Sequence, residues 1–452
     1  MTVLWFRAAL LPSGWSARVR VVIRDRWIAA VEVGAAPAAG DEIHGLGLPG
    51  LPNLHSHAFQ RAMAGQAERR IAAQDNFWSW RTHMYALAQT LDPPALEAIA
   101  ALAFAEMLEG GFVRVGEFHY VHHDRDGTPY EDPAEMAASL AAAAATTGIG
   151  LTLLPVFYAN AGFGGLPPSS DQRRFVHDTD GYARLLEASE RTLANLEDGR
   201  LGMAPHSLRA VTPDALDRLM ALRSDGPIHI HIAEQTMEVD GCIAWSGQRP
   251  VAWLMENQRV DARWCLVHAT HVDAAELAQI SACGAVVGLC PMTEANLGDG
   301  VFPADELLAR AGRFGIGSDS NVLIDAAQEL RLLEYGQRLA RRERNVLDAA
   351  RGVGTADHIY AQACAGGAQA LGAPLDRIEA GAAATLISLD DRDPSMVGWT
   401  PDEILARWVF ASRKPIVDCV WRRGRKVVSG GRHHEREAII ARYRDTLARL
   451  RE

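Results

Sequence analysis

From about residue 48 to residue 320 the sequence keeps one rhythm: a short apolar segment closed by polar residues, then a longer stretch of helical composition. The apolar segments are "GLPNLHSH", "VRVGEFHYV", "TLLPVFY", "RLGMAPHSL", "PIHIHIAE", "WCLVHAT", "AVVGLCP" and "GIGSDS". Between them lie "PALEAIAALAFAEMLEGG", "YARLLEASERTLANLEDG", "PDALDRLMALRSDG" and "DAAELAQISACG", several ending in glycine, the residue that most easily takes the left-handed turn closing a helix. Strands that alternate with helices build a parallel sheet covered by those helices, and eight such units is the count for a closed (β/α)8 barrel. A barrel of this kind takes about 250 residues, so a chain of 452 has material for a smaller unit as well.

Both ends of the chain supply it. "TVLWFRAALL" and "ARVRVVIRDRWIAAVEV" near the start, and "AATLISLDD", "ARWVFAS" and "IVDCVWRRGRKVVSGG" after about residue 380, read as short strands. The expected fold class is therefore α/β. Residues 49–378 form the barrel, and residues 1–48 and 379–452 form one small β-sandwich domain, with "EREAIIARYRDTLARLRE" as a charged terminal helix.

A net charge of −11 argues against a nucleic-acid partner, whose phosphates demand a basic surface, but leaves room for a local arginine cluster that binds a small anion. The six cysteines are scattered, with no C-x-x-C pair, and read as reduced thiols of a cytoplasmic protein. The first residues are interrupted by Arg7 and lack the pattern of a secretory signal, and no run approaches the roughly 20 apolar residues of a membrane span. The alanine-rich stretch at 135–150 is too short for one.

The chemistry lies in the last residues of the apolar segments. The first ends in His55-Ser-His57, two imidazoles on one face if the segment is a strand. Alone, that pair could hold a metal or be a satisfied polar pair beside a turn. The second segment carries Glu117, His119 and Tyr120; the fourth ends with His206 and Arg209; the fifth holds His229, His231 and Glu234; the sixth His268 and His271; the eighth Asp319. Each alone reads as a buried residue with a local partner. Together they would converge on one barrel mouth, where unpaired charges are costly and a His, His, His, Asp set suits a divalent ion with an open position for water.

This pattern resembles the amidohydrolase superfamily over nearly the whole chain: a proline ahead of His55-x-His57, a strand-five histidine with glutamate three residues on, a strand-six histidine, a strand-eight aspartate, and the late "DRIEAGAAATLISLD". Ala384-Thr385 stand where Ala-Asp is usual. Members with two metals carry a strand-four lysine; "GMAPHSLRAV" has none, which implies one metal, as in the deaminase branch. The resemblance implies His55, His57, His231 and Asp319 as ligands, with His229 the rival of His231. The implied ion is zinc, with iron or manganese also suited to such donors. It would lower the pKa of a bound water; Asp319 would take that water's proton, Glu234 would pass a proton to the leaving nitrogen, and His268 would orient or polarise the attacked centre.

Within that branch, "LPNLHSHAFQRAMAG", "FWSWRTHMY", "GEFHYVHH", "FGGLPPSSDQRRF" and "APHSLRAV" resemble the formimidoylglutamate deiminase family. The implied reaction is hydrolysis of the linear amidine N-formimidoyl-L-glutamate to N-formyl-L-glutamate and ammonia, in a homodimer. Gln60, Arg81, Tyr120, His206 and Arg209 would hold the dicarboxylate, since an arginine fork matches a carboxylate. A surface arginine stacked on the neighbouring tryptophans is the other reading of Arg81. The long connection at 159–181 is either disordered or functional, and its Arg173-Arg174 pair reads as solvated or as part of a lid. A nucleobase or other aminated-heterocycle deaminase is the alternative reaction. A catalytically dead binding protein is the third reading, disfavoured because all four ligand positions are filled.

Overall fold

In the computed structural model, residues 1–70, 75–348 and 353–451 are described; Glu452, the last residue of the expected terminal helix, lies outside them. Four strands open the chain: β1 (Thr2–Leu11), β2 (Gly14–Arg24), β3 (Trp27–Val33) and β4 (Glu42–Leu48). The barrel staves follow: β5 (Leu51–Ser56), β6 (Phe112–His119), β7 (Gly150–Phe157), β8 (Gly199–Leu201) with β9 (Ala204–Pro205), β10 (Ile228–Ile232), β11 (Trp264–His268), β12 (Val286–Leu289) and β13 (Arg313–Ile316). The chain ends through β14 (Leu386–Leu389), β15 (Val417–Arg422), β16 (Arg425–Ser429), β17 (Arg432–His433) and a helix at Arg436–Arg451.

The staves are parallel and their pairings close a ring. β5 pairs with β6, β6 with β7, and β7 with both β8 and β9, which are two pieces of the fourth stave broken at Gly202-Met203. β10 to β13 pair in sequence. Bridges Met203–Ile228 and Ser207–His231 join the halves on one side, and Ser56–Asp319 joins them on the other. The staves are buried along nearly their whole length, as a sheet covered on both faces requires.

The terminal strands form one continuous sheet in the order β17-β16-β15-β14-β4-β1-β2-β3, so the sandwich expected from the sequence is a single sheet that curls on itself. Trp27 at the start of β3 bridges to Ala383, just ahead of β14. Leu4, Phe6, Val21, Ile28, Leu386 and Trp421 fill the interior of the curl. A buried ion cluster fastens this sheet to the barrel: Asp198, ahead of β8, accepts from Arg114 of β6 and Arg422 of β15. The terminal helix is tied to the barrel helix α1 (Pro93–Glu109) through Arg436–Glu106 and Arg442–Glu97 pairs.

Two of the glycine stops work differently from expectation. Gly284 closes its helix in the left-handed region at φ 77°, as the sequence suggests. The helices Thr179–Leu193 and Pro213–Leu222 stop short of Gly199 and Gly226, because Gly199 opens β8 and Gly226 belongs to the turn that feeds β10. Among the described residues no helix is long and apolar enough to cross a membrane, and all six cysteines are free thiols.

Candidate active site

Many of the polar residues that end the staves gather at one mouth of the ring. His55, His57, His231 and Asp319 are buried, and each offers a ligand atom within 4.8 Å of the others. His57 Nε2 lies 3.3 Å from Asp319 Oδ1 and His55 Nε2 lies 3.4 Å from it, while the Nε2 atoms of His231 and His55 are 3.1 Å apart. The outer nitrogens explain the arrangement. His57 Nδ1 donates to the Phe118 carbonyl at 2.8 Å and His231 Nδ1 donates to the His206 carbonyl at 3.1 Å. A carbonyl only accepts, so both rings carry their proton on Nδ1 and, when neutral, aim an Nε2 lone pair inward. Burial pushes the His57 and His231 pKa values down and that of His55 to about 3, so these rings stay neutral. Inward lone pairs facing a carboxylate repel unless a cation lies among them, and this donor set fits a metal ion on that ground.

The backbone is built for the same purpose. Ala233, His268, Ala269, Asp319 and Asn321 all have left-handed φ, between 43° and 67°, at the ends of β10, β11 and β13. Such conformations are costly for residues other than glycine and persist where the surroundings enforce them, commonly at functional sites. Around Asp319 the enforcement is visible: Asn321 donates to Ser56, His57 and Asp319 oxygens at 3.0–3.1 Å, and Asn53 donates to Ser318 Oγ at 2.6 Å.

Beside the cluster stands a second group. His268 Nε2 is 3.8 Å from Glu234 and 3.9 Å from Asp319, and its Nδ1 is 3.2 Å from Glu294. Burial alone would lower the His268 pKa, but the surrounding carboxylates win and push it up to about 10. Burial raises Glu234 to about 7, against the pull of His268 and Arg209. Burial would also raise Asp319, yet its bond to His55 and the positive charge of His268 hold it well below the usual carboxylate range. A carboxyl poised near neutrality beside one that stays ionised is the division of labour that acid–base catalysis needs.

Above both groups lies a cavity walled by His57, Gln60, Arg81, Tyr120, His206, Arg209, His231, Glu234, His268 and Asp319; His55 lies fully buried within the ligand cluster. Every site residue expected from the sequence is thus brought to one place. The two readings of Arg81 turn out to describe one arrangement, because its guanidinium sits 4.3 Å over the Trp78 ring while the side chain borders the cavity. Arg209 lies 5.6 Å from the same ring and 4.0 Å from Glu234. Gln60 donates to the Tyr120 hydroxyl at 2.9 Å.

Several strand-end residues do not converge there. Phe118 faces the imidazoles, 4.4 Å from His231 between ring centres, so Glu117 and His119 face the other side of β6. Glu117 accepts from the Ala58 N–H at 2.7 Å and is raised to about 8 by burial; His119 packs on His122. His229 is spent on the Ala370 carbonyl at 2.7 Å. His271 lies outside the cavity and accepts from Arg249 through its own carbonyl. Arg174 is neither solvated nor a lid residue: it is fully buried, bonded to the carbonyls of Ala88, Leu91 (2.8 Å) and His123 (2.8 Å). Arg173 is only half-buried, and donates to the Arg125 and Ser170 carbonyls at 2.7 and 2.8 Å. Tyr85, Tyr158, Phe175 and Glu294 were given no role by the sequence, although the first three end quoted stretches; they border the cavity or brace a residue that does.

Residues 47–427 match the amidohydrolase family, and residues 1–45 match the N-terminal domain of formimidoylglutamate deiminase HutF. The chain belongs to the amidohydrolase family. It is 49% identical to the formimidoylglutamate deiminase of Pseudomonas aeruginosa, with both chains covered completely. It is 28% identical to a 5-methylthioadenosine/S-adenosylhomocysteine deaminase of Natronomonas pharaonis, over 85% of this chain and 84% of that one. Among solved structures it matches an amidohydrolase from Brucella melitensis at 51% identity and a TM-score of 0.96, each chain fully covered. It also matches the fold of a zinc-bound adenosine deaminase from Xanthomonas campestris at 22% identity and a TM-score of 0.81, over 100% of this chain and 98% of that one. Amidohydrolases are metal-dependent, in keeping with the inward-facing His-His-His-Asp set.

Proposed function

We infer that this amidohydrolase is a formimidoylglutamate deiminase: it hydrolyses N-formimidoyl-L-glutamate to N-formyl-L-glutamate and ammonia. The observation that carries the reading is one cavity holding both a hydrolytic group (Glu234, His268, Asp319) and two arginines, Arg81 and Arg209. A dicarboxylate needs two cationic partners, whereas a purine would want ring-stacking walls and few fixed charges. The full-length likeness to the Pseudomonas aeruginosa enzyme supports it.

His55, His57, His231 and Asp319 are the ligands in this reading, and zinc is the ion that best suits three imidazoles and a carboxylate. Bound there, such an ion would supply Lewis acidity and lower the pKa of a nearby water. Asp319 takes a proton from the attacking water as the water oxygen bonds to the formimidoyl carbon. Glu234 delivers a proton to the terminal nitrogen, is recharged with the proton Asp319 took, and delivers that one too; the carbon–nitrogen bond breaks, ammonia leaves, and the remaining C–OH becomes the formyl carbonyl by returning its proton to Glu234. His268 holds a positive charge 3.8 Å from Glu234 and steadies it through the exchange. Gln60, Arg81, Tyr120, His206 and Arg209 hold the glutamate portion.

The test is ammonia release by zinc-loaded protein. Turnover of N-formimidoyl-L-glutamate, with Arg209→Met raising KM while bound zinc stays constant, is the expected result. No turnover of it alongside deamination of adenosine or guanine overturns the reading.

A further inference from the structure

The long connection after β7 places one side chain against the cavity wall that no step above uses. Gln172 is 3% exposed, and its Oε1 accepts from the Ser169 N–H at 2.8 Å. That bond fixes the amide's orientation, so Nε2 is the end turned inward. It lies 2.6 Å from the Tyr158 hydroxyl and 3.2 Å from the Tyr85 hydroxyl. An amide nitrogen here donates two hydrogens and accepts none, so both hydroxyl oxygens are acceptors and each keeps its own proton.

Those protons have few places to go. The two tyrosines border the cavity together with Arg81 and Arg209, which only donate. Even if one hydroxyl donates to the other, the second has no protein acceptor among the described residues. Burial keeps the Tyr158 phenol protonated against the pull of both arginines. The support is rigid. Phe175 packs on Tyr85, Tyr120 and Tyr158 with ring centres 5.1–6.0 Å apart, and buried Arg174 rivets the segment to three backbone carbonyls. A spare O–H donor on a cavity wall shared with two guanidinium groups is a place for an anion with several oxygens.

We propose that Tyr85 and Tyr158, held in register by Gln172, form a donor subsite for one carboxylate of the substrate and so set the preference for a dicarboxylate over a monocarboxylate amidine. This rests on the deiminase reading above. Gln172 is a positioning residue; the tyrosine hydroxyls make the contact.

The experiment compares zinc-loaded wild type, Tyr158→Phe, Tyr85→Phe and Gln172→Met on three substrates. These are N-formimidoyl-L-glutamate, its analogue on 4-aminobutyrate (no α-carboxylate) and its analogue on 2-aminobutyrate (no side-chain carboxylate). A lost hydrogen bond to a charged group predicts a KM for the dicarboxylate raised about 10- to 100-fold in at least one tyrosine variant and in Gln172→Met, with the loss falling on KM rather than kcat. The penalty should vanish for whichever analogue lacks the carboxylate in question. An equal penalty on all three substrates would mean a merely structural role and overturns the subsite, as does an unchanged KM in the two tyrosine variants, which keep their rings and packing. Failure of the wild type on N-formimidoyl-L-glutamate overturns the deiminase reading itself, and the subsite with it.

Discussion

Four histidines that take no part in the reaction should govern how this protein tolerates acid. His119, His122, His123 and His177 are each less than 9% exposed and stack with ring centres 4.4–6.5 Å apart behind β6. Burial holds His119 and His177 down at about 3. Arg174 and His57 add to the effect on His119; His123 and Arg184 add to it on His177, against a smaller opposite pull from Asp178. In the unfolded chain each would titrate near its ordinary 6.5. The folded values are the depressed ones, so the unfolded state gains protons first, and stability present above pH 6.5 is lost as pH falls from 6.5 toward 3. Between pH 7.5 and 5 each of these two rings then costs about 2 kcal/mol, about 4 kcal/mol together, a large share of a typical 5–15 kcal/mol stability. Urea midpoints measured in half-unit pH steps test this against the single variants His119→Gln and His177→Gln. Each variant should flatten the acid slope by about 1.4 kcal/mol per pH unit between pH 6 and 4. The metal site is the same in all three proteins, so its own acid loss cancels in the comparison. A variant with the wild-type slope would refute the assignment of that ring as buried and neutral.

Three substitutions separate the roles of other residues. Glu234→Gln should lower kcat/KM about 100- to 10,000-fold, the usual range for losing a positioned acid or base, with zinc content by mass spectrometry unchanged; loss of zinc would make Glu234 a ligand instead. Glu294→Gln removes the carboxylate 3.2 Å from His268 Nδ1 and should lower kcat about tenfold at constant KM, as for other residues that orient a catalytic imidazole; unchanged kcat would mean His268 is held by its left-handed backbone alone. Arg174→Met leaves three buried carbonyls without donors and should cost about 3–5 kcal/mol in chemical denaturation, whereas a solvated arginine would cost next to nothing.

The candidate ligand and proton-transfer residues were legible in the sequence because each sits at or just past the end of a stave, and apolar staves are easy to find. Their sidedness was harder. Tyr120 and Phe118 share parity on β6 and both face the imidazoles, so counting by twos from Tyr120 places Glu117 and His119 outside; reading polar residues without that count puts them inside. Parity also fails to separate His229 from His231, which differ in depth along β10 rather than in face, and only the Ala370 carbonyl decides. The connection at 159–181 has no period at all. Nothing in "DQRRF" says that Arg174 is fully buried and Arg173 only half-buried, or that Gln172 meets two tyrosines from other elements. The terminal strands were legible one by one, but their order in a single curled sheet rests on pairings between opposite ends of the chain, such as β4 with β14.

The first and last staves show why the ligand set depends on closing the ring. His57 N–H donates to the Asp319 carbonyl at 2.9 Å, and the Ser318 and Asp319 N–H groups donate to the His55 carbonyl at 3.1 and 3.0 Å. Each ligand stretch therefore fixes the backbone of the other before any side chain is considered. Asp319 can turn its carboxylate toward both histidines only because its φ of 43° swings it out of the strand path, and Asn321 holds that turn with two bonds across the closure and one to the Asp319 carbonyl itself. A strained residue held by the seam of a barrel stays strained only while the seam is shut. Ring closure and ligand geometry are thus one event: a cation bound to His55, His57 and Asp319 pins β5 to β13, and anything that parts those staves disperses three of the four ligands at once.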